Sequence, residues 1–270
     1  MGEIACERTS AVVDAKKIYG WDDQVKEITE ILTKENKGGL NVVGIVGMFG
    51  TGKTALAQKI FASERVMKHF AVKLWVWVSP NCKKETLILR MLDNLGVDEE
   101  HIQNMLNISP TLDNVGVLLF LLYLQLRRKR HVIVFDDIAN VKDWHCELEK
   151  RPPDVADQEW SDRLAYGLPK GEGSAIIVTG RTELDIRKMV GNGGIRTPKP
   201  LLEEPAWELF KSSYEEAATK PLSDKTLELF KNEIVRKCYG LPEAFKAAGR
   251  GMGRMALVES KNGHQVNEQA

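Results

Sequence analysis

Gly47-Met48-Phe49-Gly50-Thr51-Gly52-Lys53-Thr54 is the stretch that most restricts what this chain can fold into. It satisfies G-x-x-x-x-G-K-[ST] without a mismatch, the pattern of a phosphate-binding loop. The apolar run Leu40-Asn41-Val42-Val43-Gly44-Ile45-Val46 precedes it and the helical pattern Ala55-Leu56-Ala57-Gln58-Lys59-Ile60-Phe61 follows. That order is the one the motif requires. Backbone N–H groups of such a loop turn toward phosphate oxygens, and the helix N-terminus adds the positive end of its dipole. Gly47, Gly50 and Gly52 permit close approaches that a side chain would block. Lys53 can reach the β- and γ-phosphates, and the Thr54 hydroxyl can ligate magnesium. The competing reading is a Gly-rich turn that binds nothing.

A second buried strand carries chemistry. His131-Val132-Ile133-Val134-Phe135 is apolar and β-branched, and it delivers Asp136-Asp137 at its C-terminal end. In parallel α/β sheets ligands lie at the carboxyl ends of strands, where an acidic residue can hold magnesium opposite a phosphate loop. Asp136 is the candidate metal partner, directly or through water, and Asp137 is placed to orient or deprotonate an attacking water. A third strand, Ala175-Ile176-Ile177-Val178-Thr179, ends in Gly180-Arg181, aiming Arg181 at the same edge.

The remaining pattern is mostly helical. Val25, Ile28, Ile31 and Leu32 follow the N-cap candidate Asp22 at three- and four-residue spacing, predicting an amphipathic helix ending near Gly38-Gly39. Val72-Lys73-Leu74-Trp75-Val76-Trp77-Val78 reads as a strand, with Trp75 and Trp77 on one face. Packing under a helix is the favoured role for them, over stacking on a base. Helices are expected across 85–95, 99–107 and 112–128. The run Arg127-Arg128-Lys129-Arg130 suits a solvated helix C-terminus better than a nucleic-acid patch. Residues 143–173, with Pro152-Pro153 and Pro169, read as a long irregular connection near the presumed active face. Helices with Trp207, Phe210 and Tyr214, and with Leu227, Phe230, Ile234 and Val235, follow; Gly240 then suits a C′ position and Pro242 a first helical turn.

Charge and cysteine usage narrow the class further. Lys plus Arg equals Asp plus Glu at 38 each in 270 residues, so the balance implies no nucleic-acid or membrane-surface role. Cys6, Cys82, Cys146 and Cys238 show no paired metal spacing, which together with an N-terminus lacking an apolar signal core points to a cytoplasmic or nuclear protein. The myristoylation pattern around Gly2 and Cys6 is only partly met. Val115 to Leu124, the longest apolar run, is about half of the roughly 20 residues a membrane span needs. Residues 1–17 read as a flexible leader and 259–270 as a disordered tail.

Seven segments in order, IYGWDD, GIVGMFGTGKT, LWVWVS, VIVFDDIANVKDW, GSAIIVTGR, EEPAWELF and CYGLPEA, spanning about residues 18–255, resemble the NB-ARC module of plant NBS-LRR disease-resistance proteins. That module is a STAND-class P-loop ATPase. The resemblance implies an α/β fold: a P-loop NTPase three-layer sandwich on a parallel five-stranded sheet, the phosphate-loop strand central, over residues 18–200. A small helical ARC subdomain follows over 201–258. It also implies ADP or ATP with Mg2+ as ligand, held by Gly47, Gly50, Thr51, Gly52, Lys53, Thr54 and Ala55. Thr54 and Asp136 would serve the metal, Asp137 and Arg181 the catalytic face, with Arg181 sensing the γ-phosphate. Pro242 and the backbone at Tyr19-Gly20 would flank the adenine. The partners implied are other immune receptors or signalling proteins. Trp21, Gly180 and Glu243 stand where that family usually has Arg, Thr and Leu. The given chain stops short of the family's winged-helix region, which implies a truncated switch with at most slow hydrolysis. A turnover ATPase or kinase, using 143–173 as a substrate region, and a nucleotide-indifferent adaptor are the alternatives.

Overall fold

The computed structural model describes residues 17–36, 38–78, 82–108, 113–151, 160–171, 173–191, 193–218 and 224–267. Of the leader read over residues 1–17, all but Lys17 lies outside them. The described residues divide into two compact units: one holds those of 23–48 and 53–197, the other those of 17–22, 49–52 and 198–267.

The first unit is built on five parallel strands, β1 (Asn41–Val46), β2 (Val72–Trp77), β3 (His131–Ile138), β4 (Ala175–Gly180) and β5 (Gly194–Arg196). They lie in the order β2-β3-β4-β1-β5. The expected five-stranded parallel sheet is therefore present, with one correction. β4 is the middle strand, and the phosphate-loop strand β1 lies between β4 and the three-residue β5. β3 and β4 are buried along nearly their whole length, which explains why both read as continuous apolar runs rather than alternating ones.

Helices α1 (Asp22–Leu32), α2 (Lys53–Phe61), α3 (Glu64–His69), α4 (Lys84–Asn94), α5 (Glu99–Ile108), α6 (Asn114–Leu126) and α7 (Glu183–Val190) accompany this sheet. α1 stops at Leu32 rather than running to Gly38-Gly39, because Asn41 at the start of β1 caps it. The Asn41 side-chain amide donates to the carbonyls of Leu32 at 3.0 Å and Lys34 at 2.7 Å. These are the carbonyls that a helix end leaves without an internal partner. Trp75 packs edge-on to Phe61 of α2 at 5.6 Å, the under-a-helix role expected of it. The apolar α6 places Val115, Leu118, Leu119, Leu121, Leu122 and Leu126 in the core with Phe135, Ile133 and Ile176.

The segment after β3 is less irregular than its prolines suggest. Its described parts form short 3-10 turns at Asp143–His145, Trp160–Asp162 and Leu164–Gly167. Leu148, Leu164 and Leu168 are fully buried in the core, and Trp160 meets Phe120 and Tyr123 of α6 edge-on. These residues pack as core rather than lining a substrate region.

One close approach fixes the helix against the sheet. A Cβ on Gly44 of β1 would stand 2.4 Å from Ile186 Cγ2 of α7, nearer than carbon atoms can come. Gly44→Val is therefore expected to destabilise the unit by about 1–3 kcal/mol through overpacking. A thermal melt should show the loss at roughly 2–4 °C per kcal/mol. An unchanged melting temperature would contradict this packing.

The second unit is helical. α8 (Glu203–Ala217), α9 (Asp224–Cys238) and α10 (Pro242–Asn267) surround Leu201, Ala206, Leu209, Phe210, Cys238 and Phe245. Trp207 stacks on Phe210 at 4.7 Å. Gly240 takes φ 69° after α9, and Pro242 opens α10, as their residue types predict. Residues 259–267, read as disordered tail, continue the α10 helix. The stretch has no proline, and Gly263 within it weakens a helix without blocking one.

Candidate functional site

At the C-terminal ends of β1, β3 and β4 the predicted residues Gly47, Lys53, Thr54, Asp136, Asp137 and Arg181 come together in the first unit. Thr54 in the first turn of α2 donates its hydroxyl to Asp136, lying 3.1 Å from both carboxylate oxygens. Asp136 has no solvent exposure. Lys53 is also buried, and its Nζ donates to the Met48 carbonyl at 3.0 Å. Burial lowers the Lys53 pKa; the Asp137 carboxylate opposes that shift, Arg181 reinforces it, and Asp136 opposes it again. Loop and sheet are tied where Gly47 N–H donates to the Gly180 carbonyl at 3.3 Å.

The position of Asp137 comes from a bulge. β3 and β4 run in register to Phe135 opposite Val178, but Ile138 stands opposite Gly180, so β3 spends one residue more than β4. The extra residue is accommodated with Asp137 at φ 57°, the left-handed conformation. Bulges re-aim side chains in this way near functional sites. Asp137 consequently meets Arg181, with Nε 3.6 Å from Oδ1. The two residues assigned to the catalytic face are thus an ion pair, and Arg181 is more than half exposed.

Thr179 is the site residue that sequence reading passed over. Fully buried on β4, it donates its hydroxyl to Asp136 Oδ1 at 2.5 Å and accepts the Asp137 N–H at 3.0 Å. A single hydroxyl therefore orients Asp136 and holds the bulge that presents Asp137. The signal available was a lone polar residue closing the otherwise apolar run Ala175 to Val178. Gly180, where the resemblance expected a second Thr, has no room for one. A Cβ there would lie 2.6 Å from Ile186 Cδ1 and 2.9 Å from the Ile138 carbonyl oxygen.

The donor set suits magnesium. Hard oxygen ligands, one carboxylate and one hydroxyl, stand side by side, and Mg2+ is commonly held by one or two carboxylates plus substrate phosphates rather than by an all-protein cage. Among the described residues no group of three or more His, Cys, Asp or Glu could hold a metal alone.

In the second unit, the loop tip Phe49–Gly52 lies with residues 17–22 and the start of α10. Gly50 and Gly52 take φ 79° and 89°. A Cβ on Gly52 would stand 2.4 Å from the Trp21 ring and 3.3 Å from Pro242 Cγ; on Gly50 it would stand 2.9 Å from Glu243 Cβ. Trp21 and Glu243, two of the three departures from the resembled pattern, thus pack on the loop glycines themselves. Trp21 takes φ 63°, and its Nε1 donates to the Lys199 carbonyl at 2.7 Å. Tyr19 packs on the cluster around Phe210 and Phe245, while a Cβ on Gly20 would meet Leu201 at 2.7 Å.

Residues 21–151 match the NB-ARC domain family. The chain is 32% identical over 243 residues to disease resistance RPP13-like protein 4 of Arabidopsis thaliana, covering 89% of this chain and 25% of that protein. It is 30% identical over 263 residues to putative disease resistance protein RGA4 of Solanum bulbocastanum, covering 96% of this chain and 24% of that one. It thus spans about a quarter of the length of either relative. Probable disease resistance protein At5g45440 of Arabidopsis thaliana is 27% identical, with 87% of this chain and 75% of that protein covered. Among solved structures, Cdc6p from Pyrobaculum aerophilum aligns with a TM-score of 0.54 at 14% identity, over 94% of this chain and 68% of that one. At that identity the likeness is one of fold. No described helix is long and apolar enough to cross a membrane.

Proposed function

We propose, from the match of residues 21–151 to the NB-ARC domain family, that the chain binds an adenine nucleotide, ADP or ATP with Mg2+, as a switch or regulator in plant defence signalling. The observation that carries the reading is the buried Asp136 carboxylate, bonded by Thr54 and Thr179. Asp136, Thr179 and Lys53, polar groups buried together at the ends of these strands, are costly for folding alone, and a phosphate-bound cation gives them a use.

In this reading the loop residues Gly47, Gly50, Thr51, Gly52 and Ala55 present backbone N–H groups to the phosphates. The Lys53 ammonium leaves the Met48 carbonyl for a phosphate oxygen, and Thr54 and Asp136 supply the metal's oxygen ligands. Bound Mg2+ would neutralise phosphate charge. Asp137 would take the proton of an attacking water only once free of Arg181, and Arg181 would contact the γ-phosphate only once free of Asp137. That mutual occupation supports slow hydrolysis at most. Tyr19, Gly20 and Pro242 are assigned to the adenine end, where the packing of Trp21 on Gly52 supports a base pocket unlike the family's usual one. Partners are other immune receptors or signalling proteins of the same defence response.

Mass spectrometry of the gently purified protein is expected to find ADP or ATP bound at near one equivalent, with turnover slow beside dedicated ATPases. No copurifying nucleotide, together with no binding of added ADP or ATP, would refute the proposal. Rapid multiple turnover that Asp137→Ala abolishes would favour an enzyme acting on a separate substrate instead.

A further inference from the structure

The opposite end of the sheet holds a second polar cavity, of about 220 Å³, lined by Tyr123, Arg127, Arg128, Lys129, His131, Lys170 and Ser174 among others. His131 opens β3 and Ser174 directly precedes β4, whereas Asp136 and Arg181 mark the other ends of those strands. Five residues along a strand separate His131 from Asp136 by about 16 Å, so this cavity is distinct from the phosphate loop.

Its interior is built rather than incidental. His131 is 1% exposed, and its Nδ1 lies 3.0 Å from the Lys129 carbonyl and 3.1 Å from Ser174 Oγ. A carbonyl only accepts, so Nδ1 carries the proton and Nε2 keeps a bare lone pair. That Nε2 is buried and has no hydrogen-bond partner. Ser174 Oγ also accepts the His131 N–H at 3.1 Å, which fixes the serine. Lys170 donates to the carbonyls of Ala165 and Leu168 at 2.6 Å each, and an ammonium has a third N–H to offer. Arg127, Arg128 and Lys129 are exposed at the rim.

We propose that this cavity binds a small phosphate-bearing anion, whose oxygens are taken by Lys170 and the Arg127, Arg128 and Lys129 rim, with His131 in the cavity wall. The basic run at the end of α6 thereby gains a ligand in addition to its favourable position at a helix C-terminus. The charge logic agrees. Burial holds His131 down to about 4, with the Lys129 carbonyl opposing and Lys170 reinforcing. Burial likewise holds Lys170 down to about 7, with Glu149 opposing and Arg151 reinforcing. A buried base penalised in this way is relieved by an anion, so binding should tighten as the pH falls through 7 and Lys170 takes up its proton. The volume lies below the usual range of cofactor pockets, which favours a phosphate or small monoester over a nucleotide.

The test is histidine-selective NMR on the full chain carrying Lys53→Ala, which removes the phosphate loop as a competing site, with His131 assigned by His131→Asn. Inorganic phosphate and glucose 6-phosphate are titrated in separate arms to distinguish free phosphate from a monoester, and chloride at matched ionic strength is the control. The expected result is a saturable shift of the His131 resonances with phosphate or its monoester. The affinity should fall about tenfold in Arg127→Ser/Arg128→Ser, the loss expected for one charge-assisted hydrogen bond. These are exposed side chains whose removal leaves the core intact. A His131 signal that ignores both phosphates, responds equally in the double variant, or responds equally to chloride at matched ionic strength would overturn the proposal.

Discussion

Lys53→Ala is expected to weaken binding of both ADP and MgATP by about 100-fold. Each hydrogen bond from an ammonium to a charged oxygen contributes roughly 1.5–3 kcal/mol, and each 1.4 kcal/mol is a factor of ten in affinity. Two such bonds to phosphate oxygens account for the figure. Lys53 already sits desolvated, so little of its bonding energy is spent on leaving water when a phosphate arrives. The fold should tolerate the change, because what the ammonium gives up in the protein is one bond to the Met48 carbonyl. Isothermal calorimetry on wild type and variant is the measurement, with a thermal melt as control. Equal affinities in the two proteins, with matching melts, would end the nucleotide reading.

Replacing Asp136 should have the second large effect, and two substitutions separate its two duties. Asp136→Ala leaves the fully buried Thr179 hydroxyl without its acceptor, takes the acceptor of the half-buried Thr54 hydroxyl as well, and opens a small cavity. Stranded buried polar groups cost about 1–3 kcal/mol each, so a melting temperature several degrees lower is expected. Asp136→Asn keeps the shape and one acceptor oxygen while removing the charge. Its melting temperature should equal or exceed that of the wild type, since an uncharged amide is cheaper to bury. Its gain in ATP affinity on adding Mg2+ should nevertheless fall about tenfold, because a neutral amide is a poorer partner for a divalent cation than a carboxylate. A full magnesium response in Asp136→Asn would show that Asp136 has no role at the metal.

Much of this was legible before any coordinate. The strand, loop and helix around Gly47–Thr54, the apolar strand delivering Asp136-Asp137 and the strand delivering Gly180-Arg181 each depend on residues close together in the chain. Their side chains meet at one sheet edge because parallel strands bring their C-terminal ends to the same side. Gly240 and Pro242 were likewise readable, since a positive φ and a first helical turn are properties of single residues.

Other features depended on partners far away in sequence. That Ile186 forbids a side chain at Gly44 and that Trp21 lies on Gly52 are facts about distant segments in contact. Thr179 looked like the last residue of a strand until the one-residue bulge between β3 and β4 brought Asp136 and Asp137 to its hydroxyl. Likewise, 143–173 reads as loop by composition, yet Leu148, Leu164 and Leu168 had a core to enter once α6 was in place.

A phosphate loop between strand and helix, and the order of acidic and basic residues that accompany it, follow from local residue types alone. That β1 stands off the middle of the sheet, that Asp137 and Arg181 occupy each other, and that His131 keeps a bare nitrogen at the far end all depend on the folded chain. The division follows from range. Loop chemistry and strand propensity act over a few residues, while strand order, burial and the pairing of charges are settled by which distant segments share the same few ångströms.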